Sequence, residues 1–186
     1  MRGADKLMEP VDGVPLLLRQ ARVALATRAP VIVTLPLDRP ARGAALAGLD
    51  LVTVPVPDAA LGLSASIRAG VRAARARSVL VLLADLPEIT TDDLARLLAR
   101  HAAAPDLILR ATAADGTPGH PVLFPEWALG GLAALAGDSG ARDLLWQYRD
   151  RTEFITLPGR HAVTDLDTPE DWAAWRAGRG DPAERS

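Results

Sequence analysis

The chain of 186 residues contains no cysteine, which excludes a disulfide scaffold, a thiolate nucleophile and any zinc or iron–sulfur centre held by thiolates. It has no basic block and a formal net charge of −2, which argues against a nucleic-acid binder working by counterion release. No apolar run approaches the roughly 20 residues needed to cross a bilayer, so no membrane span is expected. A signal-peptide pattern is also missing, and the expected compartment is the cytoplasm. Three catalytic signatures are absent. No G-x-G-x-x-G follows a strand, which argues against a dinucleotide oxidoreductase. No G-x-x-x-x-G-K-[ST] occurs, which excludes a P-loop hydrolase, and no G-x-S-x-G elbow marks an α/β-hydrolase.

Lysine is the scarcest charged residue. Lys6 stands alone among 21 basic residues, the other 20 being arginine. In that background a lysine is either a chance survivor on the surface or a compact point charge in a role a planar guanidinium cannot fill, such as contact with phosphate.

What the chain does have is apolar content, 49% of its residues, enough for one domain that buries roughly 70% of its unfolded surface. Short β-branched runs alternate with amphipathic stretches. Val31–Leu35, Leu51–Val54 and Val79–Ala84 read as strands. The last is apolar throughout, as expected of a central strand buried on both faces. Leu107–Ala111, Pro121–Phe124 and Phe154–Leu157 are weaker strand candidates, with a hairpin or long loop around Asp115-Gly116. Helices are expected over Val14–Thr27 and Ser64–Arg77, and after the capping boxes that begin at Thr90 and Thr168. Strands alternating with helices imply crossover units, a mostly parallel sheet and a three-layer α/β/α architecture. Residues 1–177 form a single domain in this reading, and residues 178–186 a flexible tail.

In an open α/β sheet, ligands collect outside the carboxyl ends of the strands. The most apolar strand runs straight into Asp85-Leu86-Pro87, which puts a carboxylate on that edge; the alternative is an ordinary turn aspartate. In Asp165-Leu166-Asp167, alternation along an extended segment points both carboxylates to one side. Such carboxylates suit Mg²⁺, which takes one or two of them and completes its shell with water and phosphate oxygens. His101 reads as a solvated last-turn residue and His161 as a loop residue. His120, in Pro118-Gly119-His120-Pro121, reads as part of a rigid loop entering a strand, where a substrate contact and a structural hydrogen bond are both open.

Seven segments in order then resemble the MobA-like nucleotidyltransferases, and within them the molybdenum-cofactor cytidylyltransferase branch. They are Met1–Leu7, Asp12–Leu17, Gly62–Gly70, Leu83–Pro87, Gly119–Phe124, Gly137–Arg142 and Asp165–Asp171. The resemblance implies a Rossmann-like, GT-A-like fold and transfer of CMP from CTP to the phosphate of molybdopterin, with Mg²⁺ and release of pyrophosphate. It implies that Lys6 and Asp85 are catalytic, and that Lys6, Gly62, Ser64, Ser66 and Asp85 bind the nucleotide. Asp85 with Asp167 or Asp165 would hold the metal, while Gly119, His120 and Arg142 would line the acceptor side. For Arg142 a surface ion pair is an equal alternative.

Members of this family open with a first strand and a glycine-rich loop, L-A-A-G-x-S-x-R-M-G. Met1 here falls on the methionine of that pattern. The first strand is therefore expected to be missing from the sequence as given, leaving a sheet without its middle strand and a domain that is unstable and inactive. The nearest alternative functions are a guanylyltransferase or a relative using another phosphorylated acceptor. A further one is a non-catalytic, nucleotide-binding maturation partner of a molybdoenzyme. A phosphoacceptor receiver domain is disfavoured, because no second acidic pair lies near the N-terminus and no lysine near the C-terminus.

Overall fold

Pairing partners, more than hydropathy, decide where each strand of this chain ends. The computed structural model describes residues 5–137 and 141–179. Within them a two-residue hairpin joins β1 (Pro10–Val11) to β2 (Val14–Pro15) through Asp12 (φ 52°) and Gly13 (φ 77°), both left-handed as a tight hairpin requires. There follow α1 (Leu16–Leu25), β3 (Ile32–Pro36), α2 (Pro40–Ala45), β4 (Val52–Val56), α3 (Leu63–Ala73) and β5 (Ser78–Val81). After these come α4 (Thr91–Ala103), β6 (Ile108–Thr112), β7 (Pro118–Pro125), α5 (Glu126–Ala133) and α6 (Arg142–Gln147). The order closes with β8 (Thr152–Thr156) and α7 (Pro169–Gly178).

The α/β class expected from the alternation is what the chain adopts, but its pairing is mixed. β3 and β4 form a parallel pair of their own, with Val33 opposite Thr53. A second sheet runs β5-β7-β6-β8, antiparallel at both contacts of β7 and parallel between β6 and β8. The antiparallel contacts arise because β6 turns directly into β7 through Asp115-Gly116. There the Asp115 carboxylate accepts from the Thr117 amide at 2.9 Å and Gly116 takes φ 85°. Pro55 sits within β4, where it costs no inner ladder bond because β4 pairs with β3 alone among the described strands.

Helices cover both faces. Under α4, Leu94 and Leu97 pack with Leu109, Leu123 and Leu157. On the opposite face, Ile67 and Val71 of α3 meet Phe124 of β7 and Leu132 of α5. Both capping boxes form as the spacing predicts, Thr90 with Asp93 and Thr168 with Asp171.

Two expectations change. Val79–Ala84 was expected to be central and buried on both faces, yet β5 stops at Val81, is half-buried throughout and, among the described strands, pairs with β7 alone. Its ladder ends opposite Val122, beyond which Pro121 has no N–H to offer. The first residues of the expected 178–186 tail are also held in place: Gly178 closes α7, and Arg179 is tied to Asp12 at 3.0 Å. The rest of the 178–186 tail, like Met1–Ala4 of the first motif, lies outside the described residues.

Candidate active site

Two distant segments deliver three carboxylates to one amine. Lys6 lies in a single 3₁₀ turn whose preceding Asp5 accepts from the Leu7 amide and forms a bidentate pair with Arg42 at 2.8 Å. Arg42 belongs to α2, which follows β3, so this pair fixes the turn over the carboxyl end of β3. From there Lys6 Nζ reaches Asp85 Oδ2 at 2.7 Å, Asp165 Oδ1 at 3.1 Å and Asp167 Oδ1 at 2.5 Å. The turn thus spans from the end of β3 to the segment that follows β5.

Each carboxylate has a visible support. The chain after Asp85 is held by two side chains of α1: Arg19 Nη1 donates to Pro87 O, and Gln20 Nε2 donates to Leu86 O at 2.8 Å. Asp165 and Asp167 face Lys6 because Leu166 between them points inward, packed with Val11, Leu16 and Trp172. Trp172 also donates from Nε1 to Leu166 O at 3.1 Å. Helix α7 is in turn fastened to the start of the chain by Arg176 on Glu9 and by Arg179 on Asp12.

The electrostatics follow from the count of charges. Three carboxylates against one ammonium leave two net negative charges. Burial opposes the charge on Lys6, but hydrogen bonds to Asp167 and Asp85 and the charge of Asp85 outweigh it, holding the amine above its ordinary range. Asp165 is pushed up, first by burial and then by Asp85, with the Lys6 hydrogen bond pulling the other way. Among the described residues, no three His, Cys, Asp or Glu side chains are spaced to form a metal cage by themselves. Lys6 and the aspartates, expected to meet phosphate and metal separately, here meet each other.

The expected nucleotide residues share one space. Lys6, Gly62, Ser66 and Asp85 all line a cavity of about 1310 Å³. Gly62 is required there by its backbone: φ 91° at the junction of a 3₁₀ turn with α3 is strained for any other residue. Ser64 departs from the expectation, because its buried hydroxyl is committed to Gly137 O at 2.5 Å and braces the start of α3.

The residues expected on the acceptor side lie in a strand rather than the expected loop, since Gly119, His120 and Pro121 fall within β7. Gly119 is explained by packing: a Cβ there would sit 2.0 Å from Ala162 O, so the strand can pass the 162–163 segment only as glycine. His120 is lowered by burial and then by the charge of Arg110, which keeps it neutral near pH 7, and its Nδ1 is buried without a hydrogen-bond partner. Arg142 opens α6 exposed to solvent, close enough for its charge to depress Arg110. Asp138, Ser139 and Gly140 of the preceding turn lie outside the described residues. His101 lies in the last turn of α4 as expected but is half-buried rather than solvated, its Nδ1 without a hydrogen-bond partner, whereas His161 is more than a loop residue, its Nδ1 lying 2.8 Å from the buried Asp93 carboxylate.

Sequence reasoning missed Gln20 and Arg110. The signal for Arg110 was an arginine inside an otherwise apolar strand, Ile108–Thr112, where burial now lowers its pKa. Gln20 carried a weaker one, an amide among the leucines and alanines of α1.

Strands ending at a carboxylate rim over a deep cavity define a nucleotide-handling α/β domain. Residues 1–152 match the MobA-like NTP transferase domain, and the chain belongs to that family, whose substrate is a nucleoside triphosphate. Among solved structures it is similar to Rv0371c from Mycobacterium tuberculosis H37Rv, with 27% identity over 93% of this chain and 89% of that one and a TM-score of 0.80. A second structure of Rv0371c, a complex with manganese, aligns at 27% identity over 91% and 89% with a TM-score of 0.75. The Rv0371c homologue from Mycobacterium sp. strain JC1 gives 27%, 95%, 88% and 0.81 in the same order. No curated protein matches the chain.

Proposed function

We propose that the chain transfers CMP from CTP to the phosphate of a molybdopterin-type acceptor, releasing pyrophosphate, with a divalent cation bound at the Asp85 rim. The observation that carries this reading is the convergence of Asp85, Asp165 and Asp167 on Lys6 at the mouth of the cavity. An oxygen of the acceptor phosphate attacks the α-phosphorus, a new P–O bond forms, and the bond to the β-phosphate oxygen breaks. The protein's task is alignment and charge neutralisation rather than covalent chemistry.

The donor set fits a hard divalent ion. Two net negative charges and oxygen-only ligands are what Mg²⁺ or Mn²⁺ takes alongside substrate phosphates, and the manganese bound by Rv0371c supports the same choice. Asp85 with Asp167 or Asp165 would hold the ion, which supplies positive charge to the phosphates. With those carboxylates engaged by the ion, Lys6 would serve the triphosphate as a point charge. Gly62 and Ser66 lie along the cavity wall on the nucleotide side. Arg110 and Arg142, two guanidiniums close enough to repel, suit the acceptor phosphate beside a neutral His120. The choice of CTP over GTP and of molybdopterin as acceptor is supported by the serine-rich segment Gly62–Ser66, the Asp85-Leu86-Pro87 step and the Gly119-His120-Pro121 step.

The test is pyrophosphate release from each of the four nucleoside triphosphates, with Mg²⁺ or Mn²⁺, with and without molybdopterin. CTP with molybdopterin should give the fastest release, and Asp85→Asn should lower kcat by about 10²–10³. Release with another triphosphate alone, or full activity of Asp85→Asn, would refute the assignment.

A further inference from the structure

The segments that carry the rim aspartates also meet at a second contact, one that does not involve Lys6. Glu88, three residues beyond Asp85, accepts from the Thr164 hydroxyl on Oε2 at 2.7 Å and from the Trp175 indole N–H on Oε1 at 3.0 Å. Thr164 immediately precedes Asp165, and Trp175 lies on α7, the helix that follows Asp167. One carboxylate therefore ties the Asp85 segment to both sides of the Asp165–Asp167 pair.

Both ends of this brace are anchored. Leu86 and Ile89, which flank Glu88, are buried and pack with Leu94 and Leu97 of α4. Across the contact, the Trp175 ring meets Trp172 edge-on at 5.9 Å, and Trp172 in turn donates to Leu166 O. The two donors to Glu88 are neutral, so they join the segments without cancelling any of the negative charge that a cation at the rim would meet. Lys6 works differently. It draws the aspartates together by opposite charge, on a flexible stem that follows them to whatever spacing they adopt. The charge of Asp85 also repels Asp165, so a spacing that is to persist when a phosphate engages Lys6 needs a support of its own.

We infer that Glu88 is a positioning residue that fixes the spacing of the Asp85 and Asp165–Asp167 segments and so restricts the rim to small divalent cations. The inference rests on the proposed binding of a divalent ion there. Mg²⁺ holds oxygens at about 2.0–2.1 Å in a strict octahedron, whereas Ca²⁺ takes them at about 2.3–2.6 Å in a flexible shell, so ligand spacing and rigidity decide between the two. Mn²⁺, which also takes octahedral oxygen sites, stands in for the smaller ion. Segments joined through Glu88 resist parting to admit the larger ion; segments held by charge alone do not.

The test is the ratio of Mn²⁺ to Ca²⁺ affinity, with free Mn²⁺ read from its paramagnetic resonance signal and Ca²⁺ measured by competition. Glu88→Ala removes both arms of the brace, while Thr164→Val and Trp175→Phe remove one each at unchanged net charge. Glu88→Ala should weaken Mn²⁺ binding about tenfold and Ca²⁺ binding less, so that the ratio falls. Each single-arm variant should lower the ratio in the same direction by a smaller factor. Glu88→Gln should behave as Trp175→Phe does, because its amide oxygen still accepts from Thr164 while its NH₂ group cannot accept from the indole. Where Glu88→Ala does not fold, the two single-arm variants decide the matter. Equal weakening of both ions in Glu88→Ala would leave Glu88 only its charge and overturn the inference, as would an unchanged ratio in both Thr164→Val and Trp175→Phe. A native chain that binds no Mn²⁺ would instead refute the metal reading itself, and this inference with it, so the two failures are distinguishable.

Discussion

Burial, and after it the charge of Asp85, holds the Asp165 carboxyl above its ordinary range, and the Lys6 hydrogen bond offsets only part of this. A carboxyl whose folded pKa lies above its unfolded value binds its proton more tightly in the native state. Its contribution to stability is therefore fully present below the ordinary carboxylate range and lost as pH rises through the raised folded value. Asp165→Asn removes that penalty and should raise the melting temperature more at pH 7 than at pH 4. The gain should be roughly half a kcal/mol or less, because the side chain is half-exposed and screened by solvent. The same variant should weaken metal-dependent turnover, so stability and activity move in opposite directions; a melting temperature lower at pH 7 than that of the native chain would contradict the charge argument. Lys6→Arg is the companion test. A planar fork cannot converge on three carboxylates as one ammonium does, and turnover should fall at least tenfold despite the retained charge.

Helix α7 shows how an element far from the chemistry sets its geometry. Trp172 is 2% exposed, packs on Leu166, and hydrogen-bonds its carbonyl, so the inward turn of Leu166 and the outward turn of its two acidic neighbours are one event. Trp172→Ala should cost about 3–5 kcal/mol through the cavity left behind. Trp172→Phe keeps most of the packing but leaves the Leu166 carbonyl without its donor, at a cost of about 1–3 kcal/mol. Denaturant midpoints give both values. The Phe variant should in addition bind Mn²⁺ more weakly, since the 165–167 segment loses its register; unchanged affinity would show that Asp165 and Asp167 are held by Lys6 alone. Thr168→Ala, which removes the cap of the same helix, should cost about 1 kcal/mol.

At the scale of the whole molecule, what was legible in the sequence was whatever short-range chemistry decides. The capping boxes at Thr90 and Thr168 and the turn at Asp115-Gly116 use residues within a few positions of each other, and each appears where its spacing put it. The alternation in Asp165-Leu166-Asp167 carried over for the same reason. Strand ends were less legible, because β5 stops where proline in its partner has no N–H, a fact of pairing that its own apolar run does not contain. The commitment of Ser64 to Gly137, and the closeness of Gly119 to Ala162, depend on contacts across the fold and have no local signature. Lys6 was singled out by composition alone; that three carboxylates rather than phosphate surround it required the tertiary arrangement.

In the proposed reading that arrangement couples ion binding to global stability, because the carboxylates that would hold the ion come from the middle and the C-terminal part of the chain and meet on Lys6 from its start. An ion that binds the native state alone stabilises it by RT ln(1 + [L]/Kd), about 2.7 kcal/mol at 100 times Kd. Mn²⁺ should therefore raise the melting temperature of the native chain and leave Asp85→Asn almost unmoved. The increment should fade as pH falls into the carboxylate range, where ligands must first lose protons. Loss of the Asp5–Arg42 pair occurs in the same direction but by a different route. The Arg42 hydrogen bond holds Asp5 below its ordinary value, so its stabilisation is present above the unfolded pKa and disappears as pH falls through the lowered one. Melting curves against pH with and without Mn²⁺ separate the two: the Asp5 contribution persists without the ion, and the difference between the curves belongs to the rim. A difference that stayed constant down to pH 3 would mean that the ion binds elsewhere than at Asp85.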